Sequence, residues 1–246
     1  MVIRMVDRCE QLSPGLLRQM KMSEPDFRNA KRHQDALTAG MERSLLLWLA
    51  ARTPTWINSD HLTILGFVAQ LMAGAGFALS RWSKYALLLI IPALALNWLG
   101  DSLDGTLARH RNQLRPRYGF YVDHMVDSIG AVALLGGLAV SGYMHFSIAV
   151  GLLIAFLLLS IQSYLATYTL GEFRLSFWKF GPTELRILLV VGSIALFIRG
   201  PFAHLAGKQF RLFDIGGLIG IVGMVLMLLV ATTKNTLRLY KEEQLH

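Results

Sequence analysis

From Tyr85 to Gly100 the chain reads YALLLIIPALALNWLG, a run with no charged residue. In lipid, every backbone N–H and C=O must be satisfied within the structure, so such a run must be a helix or part of a closed barrel. A helix that crosses the hydrocarbon layer takes about 20 apolar residues. Six segments meet that length, at about 61–80, 84–108, 119–141, 145–170, 183–199 and 214–234. Only 16% of the residues are charged and the mean hydropathy is +0.46, whereas soluble domains carry about 25% charged residues. The expected fold is an all-α membrane protein with six transmembrane helices.

The first 40 residues are polar and lack a clear period, and read as a cytoplasmic, partly helical arm preceding one catalytic domain, 41–246. MERSLLLWLAAR (41–52) is leucine-rich, too short to span, and carries Trp48 between Arg43 and Arg52. It predicts an amphipathic helix lying in the membrane interface. The N-terminal stretch has no long apolar core, so no cleaved signal peptide is expected. Nineteen of the 24 Lys and Arg residues fall on the side that holds both termini, and five on the other. Lys and Arg concentrate in cytoplasmic loops, so both termini are expected in the cytoplasm. The same asymmetry explains the net charge of +8 without nucleic acid, for which there is no motif.

The apolar run ends in DSLDGTLARH (101–110). Asp101 and Asp104 are three positions apart and Asp123 and Asp127 four apart, so each pair shares a helical face. The short connection 110–118 makes the two helices antiparallel neighbours, with both pairs at one cytoplasmic depth. Each Asp at the centre of a span costs about 2.5–3.5 kcal/mol, and like charges repel. A divalent cation relieves both penalties. Carboxylate oxygens suit Mg²⁺, Mn²⁺ or Ca²⁺, and two ions on four carboxylates would resemble sites of phosphoryl transfer. A zinc site is not expected, because Cys9 is the single cysteine and His124 has no partner at ligand spacing. His124 reads instead as a packing residue. Gly105, Ala108 and Gly119 leave the helix faces beside the acids open to a ligand, and Arg109 offers a fork for phosphate oxygens.

The full spacing is Asp101-x-x-Asp104-Gly105-x-x-Ala108-Arg109, nine residues, then Gly119-x-x-x-Asp123-x-x-x-Asp127. It resembles the signature of the CDP-alcohol phosphotransferase family of membrane enzymes, with all eight fixed positions present. The resemblance extends to the six-span layout, the cytoplasmic site and the interfacial helix, but not to the first 40 residues. It implies attack of a hydroxyl on a CDP-linked alcohol, release of CMP and formation of a phosphodiester. It also implies Asp101, Asp104 and Asp123 as metal ligands, with Asp127 at the edge of the metal site and in the position of the general base. Gly105, Ala108 and Arg109, with Gly119, match positions on the cytidine side. Mg²⁺ or Mn²⁺, two ions, and a homodimer are further implications.

Two pairings of substrates stay open. In the first, CDP-diacylglycerol is the donor and a small polar alcohol the acceptor. In the second, a CDP-amino alcohol of the choline or ethanolamine type donates to diacylglycerol, and Gly181-Pro182-Thr183-Glu184 is similar to an element of that branch. An ion or proton pathway is the rival class, since intramembrane acids also mark transporters; no half-chain repeat favours it. Arg174, Lys179, Glu184 and Arg186 are candidates for an acceptor pocket, as are Arg115 and Arg117, which cytoplasmic topology equally explains along with Arg111. Asp60 replaces an Asn that family members often carry before Leu-Thr, and reads as a helix N-cap. Ala73, Gly74, Ala75 and Gly76 read as a helix-packing stripe.

Overall fold

The computed structural model describes residues 31–33, 39–174, 182–205 and 208–243. Seven helices carry the fold: α1 (Ala39–Arg52), α2 (Ser59–Leu79), α3 (Leu87–His110), α4 (Pro116–Ser141), α5 (Phe146–Leu170), α6 (Pro182–Arg199) and α7 (Leu212–Glu242). A 3-10 turn, Lys84–Ala86, leads into α3. Two short pairings complete the secondary structure. β1 (Lys31–His33) runs parallel to β2 (Glu172–Arg174), and β3 (Phe202–Leu205) forms an antiparallel hairpin with β4 (Lys208–Arg211). The expected partly helical character of 1–40 otherwise lies outside the described residues.

Among the described residues, α2, the Lys84–His110 segment, α4, α5 and α7 are long and apolar enough to cross a membrane. The expectation of six spans is therefore met at five. The exception is α6, whose 18 residues include Glu184, Arg186 and Arg199. With three charged residues in 18, α6 is not among the helices that length and apolar content alone mark as spans. α7 has the opposite character: at 31 residues and about 1.5 Å per residue it is about 46 Å long, and it continues past the apolar stretch through Lys234.

α2 is the centre of the bundle, packed on α3 and α4; α5 joins α4 to α7, and α6 and α1 lie against α3. Small residues permit these close crossings. A Cβ on Gly100 would lie inside contact distance of the Gly66 and Leu62 backbone, and one on Gly137 or Gly74 would collide across the α2–α4 contact. The Ala73–Gly76 stripe thus serves packing, as its spacing suggests. One apolar core, including Phe77, Ile90, Leu94, Leu138 and Phe213, fills the end near the α4–α5 turn. A second, of Leu46, Ala50, Leu62, Leu103 and Leu107, seals α1 onto α2 and α3. Near the first core, buried Asp214 accepts hydrogen bonds from the His145 backbone N–H at 2.7 Å and from His145 Nδ1 at 2.5 Å, joining the starts of α5 and α7.

The α3–α4 connection is short because two devices close it. Asn112 takes a left-handed conformation, φ 54°, which Asn tolerates better than most residues. The Gln113 N–H then bonds the Ala108 carbonyl at 2.9 Å and the Asn112 N–H bonds that of Arg109 at 3.2 Å, a Schellman cap. Pro116 opens α4 from its first turn, where its fixed φ suits a helix start. Arg111 ties the connection to the α1–α2 linker by donating to the carbonyls of Ile57, Thr53 and Pro54 at 2.6–2.9 Å.

Candidate active site

Between the two cores, α2, α3 and α4 enclose a small cavity. Asp101 and Asp104 reach it from the end of α3, and Asp123 and Asp127 from the start of α4. Thr63, Gly66 and Gln70 of α2 form the opposite wall. The four expected carboxylates are therefore brought together, where like charges would repel one another. The cavity volume is about 10 Å³, which is the room of about one water molecule or one small ion.

Each carboxylate of α3 is held by a neighbouring helix. Asp104, 6% exposed, accepts a 2.7 Å hydrogen bond from Thr63 Oγ1. The Ser59 hydroxyl donates to the Asp104 carbonyl at 3.0 Å. Asp101 accepts from Arg186 of α6 at 2.6 Å. Arg186 Nε donates to Asn97 Oδ1 at 2.7 Å, and Asn97 Nδ2 donates to the Gly66 carbonyl at 2.9 Å. The chain Gly66–Asn97–Arg186–Asp101 crosses three helices, and neither Asn97 nor Thr63 figured among the expected site residues. The signal for Thr63 was its place in the Leu-Thr pair beside Asp60; a lone Asn in an apolar helix, as Asn97 is, was the signal for the other.

Two of the nucleotide-side candidates, Gly105 and Gly119, keep open space. A Cβ on Gly119 would meet nothing within 4 Å, and one on Gly105 would come no closer than 3.6 Å, to Arg109. Ala108 is buried, and Arg109 donates to Thr106 Oγ1 at 3.2 Å.

The acceptor candidates divide. Arg186 points at Asp101. Arg115 donates to Asp60 and lies 4.3 Å over the Tyr118 ring, so it is engaged on α2. Arg117 is exposed, and Glu184 stands in the first turn of α6. Lys179 and the Arg174 side chain lie outside the described residues. Asp60 does not cap α2. The cap is Asn58, whose N–H bonds His61 Nδ1 at 3.0 Å and whose carbonyl receives the His61 N–H. Asp60 lies inside the first turn, where a negative side chain suits the helix dipole, and is turned to Arg115. His124 packs, as expected, with Nδ1 2.5 Å from the Phe120 carbonyl and its ring against Phe120 and Tyr164.

Beside the acid cavity, α1, α3 and α6 form an apolar groove of about 410 Å³, within the range of ligand sites. Leu45, Leu94, Ile187 and Val191 are among its walls, and its polar end holds Glu42, Thr183 and Arg186. Glu42 Oε1 accepts from Trp98 Nε1 at 2.8 Å and Ser102 Oγ at 3.1 Å, with Thr183 Oγ1 at 3.4 Å. Arg186 is thus the side chain common to groove and acid site.

The donor types, carboxylates with a hydroxyl beside them, are those a hard divalent cation takes. As the side chains lie, no three carboxylates or histidines among the described residues are arranged to hold one ion. The Arg186 guanidinium sits on Asp101 instead.

Two comparisons relate the chain to known proteins. The chain is 29% identical over 113 residues to the archaetidylinositol phosphate synthase of Pyrococcus horikoshii, a match covering 46% of this chain and 53% of that protein. The chain thus spans about half the length of this curated relative. The pattern of the CDP-alcohol phosphatidyltransferase family matches residues 56–233, which include α2 to α6 and all four cavity aspartates. With that match over most of its length, the chain belongs to the CDP-alcohol phosphatidyltransferase family.

Proposed function

We propose that the protein transfers a phosphatidyl group from CDP-diacylglycerol to the hydroxyl of a small polar alcohol, releasing CMP, in membrane phospholipid synthesis. The observation that carries this reading is the meeting of a four-carboxylate cavity with an apolar groove at Arg186. An acyl chain in the groove leaves the diphosphate beside the acids. Family membership supports a CDP-linked donor and an alcohol acceptor in the membrane. The name of the archaeal relative, a synthase of archaetidylinositol phosphate, favours a lipid donor with a phosphorylated acceptor over a CDP-amino alcohol with diacylglycerol.

In this reading Asp101, Asp104, Asp123 and Asp127 would hold Mg²⁺ or Mn²⁺, two ions, which would supply positive charge to the diphosphate. Thr63 fixes Asp104, and Asp127 accepts the proton of the acceptor hydroxyl. The acceptor oxygen forms a bond to the lipid-bearing phosphorus, and the bond from that phosphorus to CMP breaks. Gly105 and Gly119 admit the nucleotide, with Ala108 and Arg109 beside it. Arg117, Glu184, Arg174 and Lys179 are the proposed acceptor side, with Arg115 released from Asp60 to join it.

The placement in the membrane is part of the same proposal. α6 serves as the sixth span despite its charged ends, α1 lies in the interface over the groove, and the charge asymmetry puts the termini and site in the cytoplasm. The chain works as a homodimer. The test of the reaction is CMP release by the purified protein from each CDP donor with a panel of acceptors. Release from CDP-diacylglycerol with a polar acceptor supports the proposal; release only from a CDP-amino alcohol with diacylglycerol replaces it.

A further inference from the structure

We propose that Arg186 is the built-in counter-ion of the acid cavity, and that the phosphate of an arriving donor takes it over from Asp101. This rests on the reading above and concerns how that site is loaded. Three observations meet on this side chain. First, four carboxylates share one small cavity, and the Arg186 guanidinium is paired with one of them, Asp101, at 2.6 Å. Second, the guanidinium is anchored at one end and transferable at the other. Nε is fixed on Asn97, itself 5% exposed and tied to Gly66, while the terminal nitrogen rests on the more accessible Asp101 carboxylate. The terminal nitrogens can exchange partners without movement of α6. Third, Arg186 also lines the polar end of the apolar groove. A lipid seated there brings its phosphate to the guanidinium, which pairs with phosphate oxygens through two parallel bonds. Glu42 does not compete for it in the observed arrangement, because its Oε1 accepts from Trp98 and Ser102.

The consequence is a pair of opposite effects. Before the donor binds, Arg186 opposes a second cation at the acids; once the donor binds, Asp101 is released. The test uses the full chain in lipid nanodiscs, with Mn²⁺ titrated and the free ion read by electron paramagnetic resonance, and CDP-diacylglycerol binding read by calorimetry without acceptor. Arg186→Gln is expected to bind Mn²⁺ about tenfold more tightly without donor, and the donor about tenfold or more less tightly. Arg186→Lys keeps the charge and loses the two-pronged geometry, so its Mn²⁺ affinity stays near wild type while donor affinity falls. Unchanged Mn²⁺ affinity in Arg186→Gln, or a fall in both affinities, overturns the inference; a fall in both makes Arg186 a support for Asp101. A wild-type protein that binds no Mn²⁺ overturns it with the metal assignment. CMP release by wild type upon adding acceptor separates the two levels. If wild type turns over and the opposite shifts are missing, only the role of Arg186 fails.

Discussion

The hydroxyl of Thr63 on α2 donates to the carboxylate of Asp104 on α3 at 2.7 Å, across 41 positions of sequence. This bond fixes one of the four cavity acids from a helix that carries none of them. Groups that orient metal-binding side chains typically contribute 10- to 100-fold to metal affinity or activity. Thr63→Val is therefore expected to lower Mn²⁺ affinity and CMP release by about that factor, while Thr63→Ser keeps both near wild type. Equal activity in Thr63→Val and wild type would show that Asp104 needs no such support.

Asp127 is proposed as the base as well as an edge of the metal site, and the two roles separate. Asp127→Asn should reduce turnover by about 10²- to 10⁴-fold, the usual weight of a general base, with donor and Mn²⁺ still bound in a calorimetric titration. Loss of Mn²⁺ binding in that variant would make Asp127 chiefly a ligand.

The contact between Gly66 and Gly100 brings α2 and α3 to backbone distance. A Cβ at Gly100 would meet backbone atoms of Gly66 and Leu62, which no side-chain rotation relieves. Gly100→Ala is expected to destabilise the fold by about 1–3 kcal/mol, read as a lower midpoint of unfolding in detergent. Gly119→Ala meets open space and should unfold as wild type does while weakening the nucleotide. Equal unfolding midpoints for all three proteins would contradict the close crossing.

Orientation is open to labelling of the protein with Cys9 replaced. Ser147 and Asn112 are both exposed, at opposite ends of α4 and its neighbours. A cysteine at 147 should react with an impermeant maleimide in intact cells, and one at 112 only after lysis. The reverse pattern would put the acids on the far side from cytosolic CDP donors.

The apolar runs and the eight-position signature made the helices and the four acids legible, because both are local patterns with a fixed period. What holds the acids was not. Thr63, Asn97 and Arg186 act over separations of 41, 31 and 85 positions, and only the packing of α2 and α6 on α3 brings them into reach. The start of α2 was misread for a related reason. Asn58 and Asp60 are both good capping residues; the helix starts from Asn58, and Asp60, inside the first turn, pairs with Arg115 at the start of α4. In α6 the apolar content suggests a span that the charges at its ends leave undecided, and the sequence does not show that Arg186 turns inward to Asp101.

The central claim is that the acid cavity releases CMP from a CDP-linked lipid with the help of a divalent ion. Its most direct test is CMP formation by the purified protein from CDP-diacylglycerol and a polar acceptor, measured with Mn²⁺ or Mg²⁺, with EDTA, and in Asp101→Ala and Asp123→Ala. The account predicts CMP release in the presence of the ion and background levels in EDTA and in both variants. CMP release that persists in EDTA and in both variants would contradict it.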